Sequence, residues 1–330
     1  NREMRYRERT LIGFASTLFT GSTSLAMALS GVGVWSLTIS GLFGSLFTIL
    51  LISRITPIKH RLNFDHKRAL KFSGVGIKES ANELIFYLRK QSCNLIISRL
   101  SGAHQVGLFN KADSLSEIPL TVVSGSVYQP VFRGMAKSQD NLDLTRYLFF
   151  RTVSLLIVYT LPFYIGLMWL AEPFILVVYG EKWIDSVAPM QILALAGLFY
   201  CIDNPCGAVL AAQNRLGREL IVQSSSWLFV IIATYTGLKW GLTGVAWGIV
   251  ASFMYSSLFM YYFVSSAIKS RLSDLVRAIL PGLFLSSILI SSLVIVDHAL
   301  PTGYSDSNPA IYLLLMSLSG ALAYCSAFLY

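Results

Sequence analysis

Charge is scarce in this 330-residue chain, and the places where it is missing are informative. From Thr10 to Ser53 there is no Asp, Glu, Lys, Arg or His. At about 1.5 Å per residue that run would make roughly 66 Å of helix, twice the ~30 Å hydrocarbon core of a bilayer. It must fold back on itself, and Gly31-Val32-Gly33 is the predicted turn. Only 13% of all residues are charged and 54% are hydrophobic. A soluble domain carries about 25% charged residues, so a soluble globular fold is excluded.

Cysteine and histidine are equally sparse. Cys93, Cys201, Cys206 and Cys325 all fall in apolar stretches, with no partner at metal-ligand spacing. They read as buried thiols, which excludes a disulfide framework and a zinc site. His60, His66, His104 and His298 lie in gaps or at helix ends, without an HExxH or triad grouping. There is no GxxxxGK[ST] loop, and Gly31-Val32-Gly33 and Gly74-Val75-Gly76 match only half of a GxGxxG loop, with no strand before either. No nucleotide-driven motor, no enzyme and no bound cofactor are expected.

The charge that is present has a pattern. Nineteen of the 26 Lys and Arg residues sit in every second gap between apolar stretches: 1–10, 54–71, 133–151, 214–219 and 269–277. The alternate gaps hold only Arg99, Lys182 and Lys239. Such alternation marks the cytoplasmic loops of a multi-pass membrane protein, and it puts residue 1 on the cytoplasmic side. The net charge of +9 then faces anionic lipid headgroups rather than nucleic acid.

The predicted fold is all-α, a transmembrane bundle of ten helices near 11–30, 34–53, 75–99, 105–132, 148–171, 188–212, 217–238, 242–268, 275–297 and 309–330. Helices are required because lipid offers backbone groups no water. Barrel strands would show alternation over about ten residues, which is absent. The chain starts in a basic loop without an initiator Met or signal peptide, so it reads as a fragment with an even number of spans missing in front. Segment 59–72 reads as a basic, partly amphipathic connector on the inner leaflet.

Two helices break the rule of apolarity. The 75–99 span carries Glu79, Glu83, Arg89 and Lys90, and the 105–132 span carries Lys111, Asp113 and Glu117. Asp203 stands alone in the 188–212 span. Facing lipid, each central charge would cost about 3 kcal/mol. They must face protein or a water-filled cavity. At 100° per residue Glu79, Glu83, Lys90 and Asn94 share about 60° of arc. On the next helix Asn110, Ser114, Glu117, Thr121, Ser124 and Tyr128 form a second stripe. Together they predict a hairpin lining an aqueous path; interhelical hydrogen bonding alone is the plainer alternative. Pro119, Pro162 and Pro205 each free the carbonyl four residues earlier, that of Leu115, Val158 and Cys201. Asp203 beside such a break is a candidate site for a proton or sodium ion.

Three stretches carry a family resemblance: Asn94-Leu95-Ile96-Ile97-Ser98-Arg99 with Gly102, VGLFNKADSLSEIPLTVVSGSVYQPVFRGMAK (106–137) and YGEKWIDSVAPMQILALAGL (179–198). They resemble the Wzx-type oligosaccharide-lipid flippases of the MOP exporter superfamily, in its lipopolysaccharide and colanic-acid-like branch. That resemblance implies a MATE/MOP-like two-lobe transporter of fourteen helices, about four of which would precede this chain. Residues 1–53 would end the first lobe, 54–74 connect, 75–268 form the second six-helix lobe, and 269–330 add two helices. The implied activity is flipping of undecaprenyl-diphosphate-linked oligosaccharide repeat units across the bacterial inner membrane by alternating access. Membrane lipids, a polysaccharide polymerase and the pathway's glycosyltransferases are the implied partners. Similar proteins often carry Asp where Cys93 stands and Gly where Ser98 stands.

A diphosphate needs cations, and Arg89, Lys90 and Lys111 supply them. Asn94, Asn110, Ser114 and Thr121 offer partners for sugar hydroxyls, and Tyr87, Phe109 and Tyr128 offer aromatic faces. Asp203, Glu79, Glu83 and Asp113 are the candidates for ion coupling. Lys90 points into the polar stripe and ranks above Arg89, with a carboxylate of the second helix expected beside one of the two. The nearest alternative is a cation-coupled multidrug or small-molecule antiporter of the same superfamily. A membrane polysaccharide polymerase or ligase is remote, because the longest outer segment is only about 16 residues.

Overall fold

The computed structural model describes residues 6–33, 35–55, 66–137, 141–301 and 304–329, some of them, including 66–72 and 124–133, by backbone alone. The described residues are almost entirely helical, without strands. Ten long helices are α1 (Tyr6–Leu29), α2 (Trp35–Ile55), α3 (His66–Ser101), α4 (Ala103–Lys137), α5 (Leu142–Trp169), α7 (Val187–Ala212), α8 (Leu216–Gly237), α9 (Gly241–Ile268), α10 (Leu272–Ala299) and α12 (Pro309–Leu329). Each matches one predicted span. Two short helices, α6 (Ala171–Val178) and α11 (Tyr304–Ser307), and a 3-10 turn at Glu181–Ser186 occupy segments that read as loops. Seven stretches are long and apolar enough to cross a membrane, one of them holding both α8 and α9. Helices α3 and α4 fall outside those seven. They are the two whose sequence carries the charged stripes.

The chain forms two compact units, residues 1–69 and 70–330. In the first, α1 and α2 make a hairpin. Gly31 and Gly33 take positive φ at its turn (84° and 62°), where a side chain would be strained. Phe19 stacks on Phe47 at 4.4 Å, and Thr48 donates to Ser16 at 2.8 Å. Thr17 and Thr20 donate to carbonyls one turn back in their own helix, so these hydroxyls need no water. The predicted connector falls partly on 56–65, outside the described residues. From His66 onward the backbone is already part of α3.

In the second unit α7 packs on α4, α5 and α9 and is the most enclosed of the apolar spans. Two cores flank it. One joins Phe149 and Leu156 of α5 to Cys206 and Leu210 of α7 and Met260 of α9. The other joins Ile97 of α3 and Leu108 of α4 to Met190 of α7, Val230 of α8 and Val245 of α9. Helices α10 and α12 pair through Leu289, Leu293 and Met316. Cys93, Cys201 and Cys206 are buried, whereas Cys325 is exposed. It lies on α12, whose fully buried residues are Tyr312, Met316 and Gly320.

Three of the basic gaps meet at one end of this unit. Arg146 donates to the Ile268 carbonyl (Nε and Nη2, both 3.1 Å) and to that of Lys269 (3.1 Å). Tyr261 donates to the Arg271 carbonyl at 2.8 Å, and Arg218 lies over Phe263 at 5.5 Å. Alternation along the sequence has become segregation in space.

The break at Pro162 has a defined partner. Tyr324 of α12 donates its hydroxyl to the freed Val158 carbonyl at 2.6 Å. A buried carbonyl without such a donor costs about 1 kcal/mol or more. Tyr324→Phe keeps the ring and removes the donor. It should lower the thermal midpoint in detergent by about 2–4 °C. An unchanged midpoint would mean that water already satisfies the carbonyl.

Candidate functional site

Helices α3 and α4 join at Gly102 (φ 89°), and Lys90 of α3 reaches Asp113 and Glu117 of α4. Between them and α5, α7, α8 and α9 lies a cavity of about 320 Å³. Helix α3 lines it with Phe86, Arg89, Lys90, Cys93 and Asn94, spaced as one helical face. Helix α4 contributes Phe109, Asp113, Ser116, Glu117, Leu120 and Thr121. Tyr164 of α5, Tyr200 of α7 and Phe253 of α9 complete an aromatic wall.

Lys90 is held by two carboxylates of α4. Its ammonium lies 2.8 and 3.0 Å from the two Glu117 oxygens and 3.1 Å from Asp113 Oδ2. One N–H of the ammonium is shared by the two Glu117 oxygens and another points to Asp113, with Lys90 and Glu117 both partly exposed. Asp113 and Glu117 are one turn apart, and the lysine between them offsets their repulsion.

Arg89 is held differently. It is only 8% exposed, and its guanidinium stacks 4.4 Å from the Phe253 ring centroid and 5.6 Å from that of Phe86. Among the described residues it donates one hydrogen bond, to Ser226 Oγ at 3.3 Å. Ser226 in turn pairs with Ser252 at 2.9 Å. A guanidinium has five N–H donors. Most of Arg89's therefore meet no protein acceptor at the cavity wall.

The other predicted residues scatter. Asn94 lines the cavity; Asn110 and Ser114 do not, and Ser114 is exposed. The lining face of α4 keeps Glu117 and Thr121 but is centred on Asp113 and Ser116 instead. Lys111 sits away from the cavity, 4.1 Å from the Tyr179 ring and 5.0 Å from the Trp183 ring. Glu83 is exposed and outside the lining, and the side chain of Glu79 lies outside the described residues. Asp203 is buried behind the cavity, where Ser256 donates to Oδ1 at 2.8 Å. Of the three aromatic faces, Phe109 lines the cavity, Tyr87 is exposed, and the side chain of Tyr128 is outside the described residues.

Sequence periodicity missed Phe86, Tyr164, Tyr200 and Phe253. One signal was present in the small residues of Ile192-Leu193-Ala194-Leu195-Ala196-Gly197-Leu198. Ala196 and Gly197 line the cavity, and the Tyr164 ring presses onto Gly197 where a methyl group would overlap it.

With that geometry in hand, likeness to known proteins is informative. Residues 1–188 match the family model described as polysaccharide biosynthesis protein. The chain belongs to that family. It is 26% identical over 222 residues to the lipopolysaccharide biosynthesis protein WzxC of Escherichia coli (strain K12), 67% of this chain and 44% of the relative. It is 25% identical over 295 residues to the succinoglycan biosynthesis transport protein ExoT of Rhizobium meliloti (strain 1021), 87% of this chain and 57% of that one. The teichuronic acid biosynthesis protein TuaB of Bacillus subtilis (strain 168) is 24% identical over 262 residues, 79% of this chain and 54% of TuaB. The chain thus spans about half the length of the curated relatives it matches. Among solved structures it resembles the lipid II flippase MurJ in an inward closed conformation, with TM-score 0.69 and 18% identity, covering 94% of this chain and 65% of MurJ. A MATE protein in its straight conformation follows at TM-score 0.57 and 14% identity, over 78% of this chain and 63% of that one. The fold is the helical bundle shared with these two structures.

The small-residue notch makes a test within this family member. Gly197→Ala should destabilise the protein by about 1–3 kcal/mol through overpacking against Tyr164. In a Tyr164→Ala background the same change should cost far less, as a double-mutant cycle of thermal midpoints would read. Equal costs in both backgrounds would place the clash elsewhere.

Proposed function

We propose that the protein to which this chain belongs moves a lipid-linked oligosaccharide across the bacterial inner membrane for surface polysaccharide assembly. The carrier lipid is undecaprenyl diphosphate, and transport proceeds by alternating access. The single observation that supports this reading most is the Arg89–Lys90 pair on the wall of a cavity enclosed by membrane-spanning helices. Two adjacent cations suit a diphosphate, and Arg89 has the planar fork that binds such oxygens bidentately. Asn94, Thr121 and the aromatic wall suit sugar hydroxyls and ring faces. A second hollow, of about 810 Å³, is almost wholly apolar and lies among α4, α5, α6, α10 and α12; it suits a polyprenyl chain. A cation antiporter draws support from the Asp113–Glu117 pair, but a buried guanidinium at the wall repels a cationic substrate.

Lys90 is paired with its carboxylates, whereas Arg89 keeps donors facing the cavity. Arg89→Ala should reduce export of lipid-linked sugar at least tenfold, with membrane levels unchanged on immunoblots. Lys90→Ala should lose export too, and Lys90→Arg should retain part of it. Wild-type export by both alanine variants would sink the reading.

Orientation is the other half of the proposal, with the basic end in the cytoplasm. In a background lacking the native cysteines, Asp185→Cys should react with an impermeant maleimide in intact cells, and Ser273→Cys only after lysis. Asp185 and Ser273 are exposed, whereas neighbouring Ser186 is fully buried. The opposite labelling would invert the topology.

A further inference from the structure

We propose that Lys111, backed by Lys182, Tyr179 and Trp183, is a second phosphate site. It holds the diphosphate of a polyprenyl lipid whose chain lies in the apolar hollow, apart from the charged cavity. The inference rests on the reading of that hollow as a polyprenyl site and assigns its headgroup end. Helix α5 lines the hollow from Val158 to Leu170, twelve residues or about 18 Å of helix. No residue of the lining is charged, so the lining can take a chain but cannot hold an anionic head. Two independent contacts put Lys111 at one end. On α4 the hollow is lined by Leu115, Ile118 and Pro119. Lys111 precedes Leu115 by four residues and Ile118 by seven, so it shares their face within about 40° of arc and lies one turn beyond them. On α6 the lining residue Phe174 meets the Tyr179 ring edge-on at 6.1 Å, and that ring lies 4.1 Å from the Lys111 ammonium.

The cation there has no counter-ion. Its neighbours are ring faces, Tyr179 at 4.1 Å and Trp183 at 5.0 Å, which attract the charge but supply no oxygen. Among the described residues Lys111 makes no salt bridge and no hydrogen bond to an oxygen, so its donors remain for a ligand. Lys182, which is exposed, puts a second ammonium 5.9 Å from the same indole. Glu172, Glu181 and Asp185 of this segment are exposed, and none of them pairs with either lysine. Two ammonium groups beside one indole complement a diphosphate, which carries at least two negative charges. A phosphodiester headgroup of a membrane phospholipid brings one. The charged cavity lies on the opposite face of α4, about 200° around from Lys111, so the two phosphate sites are separate.

The test uses the full-length protein in an uncharged detergent and titration calorimetry of farnesyl diphosphate. An Arg89→Gln/Lys90→Gln background removes the cavity cations and leaves the proposed site. In it, Lys111→Ala should weaken binding about tenfold, the worth of a charge-assisted hydrogen bond, and Lys111→Arg should restore most of that loss. Lys182→Ala, at an exposed position, should weaken binding about threefold, and it carries the test if Lys111→Ala does not fold. Ser317→Trp, which fills the hollow, should weaken binding as strongly as Lys111→Ala. Binding unchanged by both lysine variants but lost in Ser317→Trp would overturn the phosphate site and leave the hollow as a polyprenyl site. Binding indifferent to Ser317→Trp, or absent from wild type, would overturn the reading of the hollow and the site with it. Competition by dioctanoylphosphatidylglycerol at equal affinity would overturn the polyprenyl assignment in favour of a membrane phospholipid.

Discussion

Charge on the helices that line the cavity is the constraint around which the second unit is organised. Arg89 and Asp203 are buried, Asp113 is partly so, and Lys90 and Glu117 are partly exposed, and a charge withdrawn from water needs a partner. The structure gives each a different kind. Lys90 is neutralised by two carboxylates at 2.8–3.1 Å. Arg89 is accommodated by an aromatic face and a serine pair. Asp203 is held by Ser256. Ser252 and Ser256, one turn apart on α9, thus serve the cation through Ser226 and the anion directly. Both serines are fully buried, so α9 carries a polar seam through an otherwise apolar core.

Placing those groups dictates much of the packing. Helix α7 must lie close enough to α4 for their faces to meet at the cavity. Ser116 of α4 helps by donating to the Ala112 carbonyl at 2.8 Å and to the Met190 carbonyl of α7 at 3.4 Å. Gly197 admits the Tyr164 ring, so α5 can supply a cavity wall without pushing α7 away. Farther out, Gly237 and Gly244 bring the backbones of α8 and α9 together near their turn.

The helices themselves were legible because apolar runs of span length, cut by charged gaps, admit little else. The short helix α6 was not: Glu172 in its first turn and Glu181-Lys182 after it make a polar segment, and eight residues are too few to show periodicity. Spacing found the lining face of α3, since Arg89, Lys90 and Asn94 lie on it. Lys111 is on the far face of α4, two residues and about 200° of arc from both Phe109 and Asp113, which line the cavity. Its partners Tyr179 and Trp183 come from a segment some seventy residues away. The carboxylate expected beside Arg89 or Lys90 is there, on Lys90, whereas the aromatic and serine partners of Arg89 come from other helices and left no mark in the spacing. The aromatic wall comes from three separate helices, which no single-helix pattern can join.

The bond from Tyr324 to Val158 has a mechanical side. It ties α12 to α5 at the one place where α5 has lost a backbone hydrogen bond, and Tyr164 lies two residues beyond Pro162 on the cavity wall. A helix bends most readily where its ladder is already broken. If α12 slides by even one turn, Val158 loses its donor; if α5 flexes at Pro162, the carbonyl swings and Tyr324 must follow. The two movements are therefore geared. A displacement of the peripheral helix becomes a tilt of the tyrosine ring that borders the charged cavity, with the proline as fulcrum and the phenol as pin.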